Sequence, residues 1–589
     1  MIENAFSVKK LLILLLCFVL ATLVWWVVIS PRQIAAEWHE PLKSASFAPF
    51  YDGQSPLKEI FPTKKQIEED LVRLKGVFRG VRTYTSQGGM ENVPELAAKH
   101  GFTLTHSAWL GRDAVANEKE VSALIETANR YPQAVKRVIV GNEVLLRRDL
   151  KPDELIAYID KVRDAVDQPV SYADVWAFWL KNPQVADHVD YITIHILPYW
   201  EDEPVSLHDA QQHMLAIIDK IKQRFPGKPI LVGETGWPTE GRSRGPAHAD
   251  LLTSAEFVRA LPKLAAEHDF DYNVVEAYDQ SWKAQLEGTV GARWGMFDRD
   301  RQEKFPLVGA VVPLDYAKAR AASSLLVGVL IGLIFLPYLR TTKHVLWVSA
   351  WSQLFAFVVV LAVYKSVRLS VAPASVTWFA QRVLFFMADQ HWLSNTSVAF
   401  WYKLLLQTLA EPFAQIWGGV LAIFSVLFAI GGVQWLHALF KHKQSSGAAV
   451  LWVRRGFALY GLGAIVFSAM FSISGRYMDI PVSLYGLPVV LAAGLWLSRR
   501  CVPEIPLRAS AVYTWNIYAK WLLPLAALVC VWGEASAMLH GEDFVTMHPT
   551  LSEQIPLIAH SLLANHQLLL WCLLCVLLAL PFRRAGKLE

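Results

Sequence analysis

Cysteine is scarce in this 589-residue chain, and none of its five, Cys17, Cys501, Cys530, Cys572 and Cys575, falls within residues 46–315. No disulfide can staple that stretch, which must rely on its own apolar core; at ~270 residues it is long enough to do so. Charge is also thin: 18% of residues are Asp, Glu, Lys or Arg, against 53% hydrophobic, a balance too apolar for an ordinary soluble protein. The net charge of +4 sits in clusters beside apolar runs, and no interleaved basic and aromatic pattern points to nucleic acid. Neither a phosphate-cradling glycine loop nor a metal-ligand cluster is present. The Asp298-Arg299-Asp300 triplet is only a weak match to a metal-binding DxD, so no cofactor or metal is implied.

Apolar residues are concentrated in two flanks. Residues 11–29 form a run of 19 without a charge, preceded by Lys9 and Lys10, long enough to cross ~30 Å of hydrocarbon as a helix. The run ends in TLVWWVVIS with no small-residue cleavage site close behind, so it reads as an uncleaved anchor rather than a signal peptide. After residue 318, seven more stretches of spanning length are centred near Val329, Phe355, Phe424, Val466, Val490, Leu525 and Leu573. With eight spans, the basic clusters Lys9/Lys10, Arg340/Lys343, Lys441/Lys443/Arg454/Arg455, Arg499/Arg500/Arg508 and Arg583/Arg584/Lys587 all fall on one face. The positive-inside rule makes that face cytoplasmic. Residues 540–567 carry no Lys or Arg, as an outside loop should, although the loop after Tyr364 holds Lys365, Arg368 and Arg382.

The expected organisation is a cytoplasmic terminus, first span and linker over residues 1–45, an extracytoplasmic domain over 46–315 and a seven-helix transmembrane domain over 316–589. Glu411, Gln434, His437 and Glu534 lie in or near spans, where ionisable and polar groups are functional candidates unless water satisfies them at a span edge.

Within residues 46–315, short β-rich runs alternate with helical patterns. GVRTYT, FTLTHSAWL, RVIVGNEV, PVSYADVW, YITIHILPYW, PILVGETGW and YNVVEAYDQSW read as strands, with FAPFYDG opening the series. Segments such as PDELIAYIDKVRDAV and SLHDAQQHMLAIIDKIKQRF place apolar residues at helical spacing. Eight such units predict an α/β fold, a (β/α)8 TIM barrel, whose catalytic groups sit at the C-terminal ends of strands. Glu143 ends the fourth run and Glu234 the seventh, strands that face each other across a barrel mouth. A single Glu at a strand end is more often solvated or paired with an Arg. Two at opposing strand ends match the requirement of retaining glycoside cleavage: one carboxyl protonates the leaving oxygen, the other attacks the anomeric carbon, and the two stand ~5 to 5.5 Å apart.

The segments VIVGNEVLLR and ILVGETGWPTEGR resemble the acid/base and nucleophile motifs of glycoside hydrolase family 17, the β-1,3-glucanase family, and the likeness extends through GVRTYTSQGG, HILPYW and WGMFD. It implies that Asn142 binds the sugar 2-hydroxyl, Glu143 is the acid/base, Glu234 is the nucleophile and Tyr199 hydrogen-bonds the nucleophile. FAPFYDGQSP and YADVWAFWL look closest to the bacterial branch described as β-1,6-glucan synthases, which also carry membrane helices; a bacterial inner-membrane location with the catalytic domain on the periplasmic side is implied.

Trp176, Trp200, Trp237 and Trp282 fall on βα loops, where they stack on glucose or cap the barrel core; Trp237 and Trp282 are the favoured sugar platforms. Arg82, Tyr84, Asp174, His195 and Glu276 either line the cleft or join buried hydrogen-bond networks. The compact segment after Thr235 lacks the subdomain that builds part of the acceptor groove in some plant relatives. The expected partners are a glucan or lipid-linked glucosyl donor, a glucan acceptor and membrane lipid. The expected activity is retaining β-glucan transglycosylation, with tethered hydrolysis and non-catalytic glucan binding as alternatives.

Overall fold

The computed structural model describes residues 7–314, 316–339, 341–368, 427–435, 447–475, 478–482, 484–489, 491 and 513–583. The chain divides into two compact units: Pro31–Val312 with Met538–Asn565, and Met1–Ser30 with Pro313–Ala537 and His566–Glu589.

In the first unit, β1 (Leu42–Ser46), β2 (Phe78–Arg82), β3 (Thr103–Ala108), β4 (Val135–Asn142), β5 (Val170–Val175), β6 (Ile192–His195), β7 (Ile230–Thr235) and β8 (Asp271–Val274) pair in sequence order and close into a barrel. Every pairing is parallel, with closure at Ala45 opposite Val274. The strands carry continuous apolar runs because parallel strands are covered on both faces; Val138, Ile139, Val140, Ile192, Ile194 and Val232 are wholly buried. One expected strand moves: FAPFYDG lies in the loop after β1, which is formed instead by Leu42–Ser46.

Between the strands run α2 (Lys64–Leu74), α3 (Val93–His100), α4 (Ala114–Arg130), α5 (Pro152–Arg163), α6 (Trp176–Lys181), α7 (Leu207–Arg224) and α8 (Leu251–Glu267), after the N-terminal α1 (Val8–Ile29). Their starts are written locally. Thr63 and Gln66 close a capping box on α2, and the Ser206 hydroxyl accepts from the Asp209 N–H at the head of α7. On α7, Ala210, Met214, Ile217, Ile218 and Ile221 form the stripe that packs on the barrel, at the spacing that puts one helix face inward.

In the second unit, α1 packs with the helices Ala317–Phe335 and Thr342–Arg368. The Trp25 and Phe357 rings stand 5.0 Å apart, and a β-carbon on Gly332 would come 2.6 Å from Leu14 Cδ1. Away from that seam α1 leaves Leu12, Leu20, Trp26 and Val27 exposed, the inverse of a soluble helix. Among the described residues five helices are long and apolar enough to cross a membrane, or six if Leu551–Ala564 and His566–Ala579 count as one span. The expected spans near Phe424 and Val490 have their centres outside the described residues, as do Glu411 and His437. Gln434 is exposed and Glu534 is buried.

Candidate active site

β4 ends at Asn142, and the chain then turns sharply: Gly141 has φ 86° and Glu143 φ 52°. A non-glycine residue in the left-handed region costs about 1–3 kcal/mol and persists where its surroundings hold it. Here the Glu143 N–H donates to the Ala173 carbonyl at 2.8 Å, while Glu143 Oε1 lies 2.8 Å from His195 Nδ1. His195 ends β6 and sits in register opposite Glu234 of β7; its Nε2 is 3.5 Å from Glu234 Oε1. One buried imidazole therefore bridges both glutamates. An oxygen of each carboxylate and a His195 ring nitrogen all lie within 4.8 Å of one another, well inside the 6.5–9.5 Å carboxyl separation of inverting enzymes.

Arg82, at the end of β2 and wholly buried, forms the floor. Its Nη1 donates to the Gly233 carbonyl at 2.6 Å and to Glu234 Oε1 at 3.3 Å, and its Nη2 donates to Asn142 Oδ1 at 2.6 Å. The guanidinium thus fixes the nucleophile candidate and the neighbouring amide. Burial pushes the Glu143 pKa up, but the hydrogen bond and charge of His195, then Arg147 and Arg82, outweigh it and hold the pKa below the usual glutamate value. Asp174 behaves oppositely: burial, then the nearby Glu143 charge, pushes it up to about 7. Glu143, His195 and Glu234 are also the one set among the described residues whose donor atoms could share an ion. Arg82, in contact with Glu234, sets a positive charge against any cation there.

Residues 46–295 match the model of the BtgE/BtgC glycoside hydrolase domain. A glucan 1,3-beta-glucosidase of Schizosaccharomyces pombe is 30% identical over 229 residues, covering 36% of this chain and 71% of that protein. The chain belongs to glycoside hydrolase family 17. A second relative, glucan 1,3-beta-glucosidase BGL2 of Candida albicans, is 27% identical over 268 residues, covering 41% of this chain and 85% of that protein. Among solved structures, the family 17 beta-1,3-glucanosyltransferase of Rhizomucor miehei aligns at 23% identity, covering 46% of this chain and 97% of that one, with a TM-score of 0.40.

As a family 17 member the chain is a glycosidase-type enzyme, and its candidate residues sort by position. Glu143, Glu234, Asn142, Arg82 and His195 come together at one centre. Tyr84 borders it: the Arg82 guanidinium lies 4.9 Å from the ring centre, and the hydroxyl donates to Ser46 Oγ at 2.8 Å. Asp174 accepts the Tyr172 hydroxyl and the N–H groups of Leu146 and Val175, tying down the loop that follows Glu143. Glu276, beyond β8, is buried and paired with Lys283 at 3.0 Å.

The aromatic residues divide differently from expectation. Trp237 is 1% exposed, and its Nε1 donates to the His248 carbonyl; Trp176 is equally buried. Both pack the barrel and present no face to a sugar, because the loops that carry them fold back over the core. Tyr199 is wholly buried, its ring against Trp200, Trp237 and Trp294 and its hydroxyl donating to the Arg242 carbonyl, which is the packing role. Trp282 is half-buried, edge-on to Phe50 with Nε1 on Gln280 at 3.0 Å, and remains a candidate platform.

Two residues were missed in the sequence reading. Trp109, directly after β3, is 41% exposed with the Arg147 guanidinium 4.2 Å from its ring centre, and Arg147 also donates to the Asn142 and Leu110 carbonyls. Their position just past strand ends was the available signal.

Proposed function

We propose that this protein is a membrane-bound retaining β-glucan transglycosylase with its barrel on the extracytoplasmic face of a bacterial inner membrane. The observation that carries the reading is the convergence of Glu143 and Glu234 on His195, with oxygens within 4.8 Å. In the first step a Glu234 oxygen attacks the anomeric carbon, the glycosidic C–O bond breaks and the Glu143 carboxyl proton passes to the leaving oxygen. In the second, Glu143, now a carboxylate, takes the proton of an acceptor hydroxyl whose oxygen attacks the same carbon and releases Glu234. The lowered Glu143 pKa suits this second role. The names of the relatives favour β-1,3-linked glucan as the substrate, with tethered hydrolysis as the second reading.

The membrane location is supported by hydropathy and by parity. Met538–Asn565 belongs to the same compact unit as the barrel, so the chain must cross an even number of times between residues 312 and 538. Six expected spans lie between them, and all the basic clusters then fall on one side. An outside site meets no cytoplasmic nucleotide sugar, which favours preformed glucan or lipid-linked glucose as donor. The test gives membrane-extracted protein β-1,3-glucan oligosaccharides or lipid-linked glucose and compares elongated glucan with released reducing sugar. Mainly elongated product is expected; mainly released sugar from every donor would make the protein a tethered hydrolase.

A further inference from the structure

The segment Met538–Asn565 folds with a barrel that ended more than two hundred residues earlier. Its partners follow the C-terminal ends of four successive strands. Glu542 pairs with Arg148, beyond β4, at 3.0 Å and with Lys181, beyond β5. Beyond β6, Asp202 accepts the Asp543 N–H at 3.1 Å, and Glu203 lies 2.7 Å from His548 Nε2. Beyond β7, the Ser243 carbonyl accepts from Asn565 Nδ2 at 3.3 Å, and a β-carbon on Gly245 would collide with Ser561 Oγ. Phe544 is wholly buried and Met547 packs on the barrel core. The segment is therefore a built rim on the catalytic end of the barrel, on the side that carries both glutamates.

The helix Leu551–Ala564 within this segment is amphipathic in an inverted sense. Gln554, Ile558 and Ser561, spaced four and three apart, are buried against the unit. Leu551, Ile555, Ala559 and Leu563, spaced four apart, face out, the three large ones being 65%, 62% and 69% exposed. The exposed Glu553 and His560 stand together on the remaining arc. No residue of 540–567 is Lys or Arg. An apolar stripe of this size is costly in water, and chain continuity says what covers it. Residue 565 is followed at once by the apolar helix His566–Arg583, and 540 is preceded by Tyr513–Leu539, so both ends of the segment return to one membrane face.

We infer that Leu551–Ala564 is an in-plane membrane helix whose Leu551, Ile555 and Leu563 stripe enters the outer leaflet while Ser561 on its buried arc meets the β7 loop and the preceding residues 542–548 hold the β4 to β6 loops, seating the catalytic end at the lipid surface. Such helices sink their apolar face ~5–10 Å into the boundary between headgroups and acyl chains. The inference rests on the reading that the flanking helices span a membrane, and it names lipid as the partner of the stripe.

The test uses the full chain with its five cysteines replaced, reconstituted in phosphatidylcholine nanodiscs. Single cysteines at Ile555, Leu563, Glu553 or His560 carry an environment-sensitive fluorophore. Nitroxide attached near the headgroup end of the lipid acyl chain should extinguish most of the emission at Ile555 and Leu563, while aqueous iodide should act mainly at Glu553 and His560. Iodide reaching all four sites equally would overturn the inference. So would protection of Ile555 and Leu563 from iodide without quenching by lipid nitroxide, the signature of a second protein copy on the stripe. Alkaline carbonate extraction separates the premise: release of the chain from native membranes would defeat the spanning reading, whereas retention with an iodide-accessible stripe defeats the in-plane helix alone.

Discussion

Glu143 and Asp174 occupy one buried neighbourhood with pKa values displaced in opposite directions, and two predictions follow from the asymmetry. Glu143→Ala removes the proton donor and the base together, so turnover of ordinary glucan should fall by about 10²–10⁴-fold. A donor with a leaving group that needs no protonation should still glucosylate Glu234, and azide should restore its turnover; without azide rescue Glu143 would be a binding group. Asp174 is raised to about 7, above its unfolded value, so it stabilises the fold fully below pH ~4 and that contribution is lost as pH rises through about 7. Asp174→Asn should therefore flatten the fall in unfolding temperature between pH ~4 and pH ~7. A variant whose pH profile overlays that of the parent would place the Asp174 titration elsewhere.

Strand β7 illustrates how an element can be specified by what it leaves out. Gly233 precedes the nucleophile candidate, and a β-carbon there would collide with Thr193 Cγ2 and stand 3.3 Å from Arg82 Nη1. Gly233→Ala should cost about 1–3 kcal/mol, the usual penalty of overpacking, and should weaken activity by displacing the guanidinium that holds Glu234. Thermal unfolding and turnover measured on the same preparation check both, and an unshifted midpoint with full activity would show that β6 and β7 yield without cost. The motif GET was readable because an apolar run ending in a carboxylate has few other uses, and the strand and helix alternation gave the barrel. The placement of β1 at Leu42–Ser46 was not readable, since LKSAS is too short and too polar to declare a strand before its neighbours pair with it. Trp237 and Trp176 misled for a related reason. Indole suits a sugar face and a barrel core equally, and only the fold of the loop decides between them. His195 was visible as a polar strand end, but its contact with both glutamates depends on the β6–β7 register, which no local pattern encodes.

At the scale of the whole molecule, the barrel and the distant segment Met538–Asn565 form one unit, and this constrains topology independently of hydropathy. Ion pairs such as Arg148–Glu542 require both partners on the same side of any membrane, so an odd number of crossings between them is forbidden. On the proposed topology residues 441–455 lie on the opposite side; residues 441–446 lie outside the described residues. Single cysteines at Lys65 on α2, Thr550 in the distant segment and Lys443 in that basic stretch should therefore behave as two classes. In intact cells with a permeable outer envelope, a membrane-impermeant maleimide should label Lys65→Cys and Thr550→Cys alike and leave Lys443→Cys unlabelled until the inner membrane is opened. Labelling of Thr550→Cys without Lys65→Cys would contradict the shared unit itself. Prompt labelling of Lys443→Cys alone would invert the orientation, put the glutamates on the cytoplasmic side and restore nucleotide sugars as candidate donors.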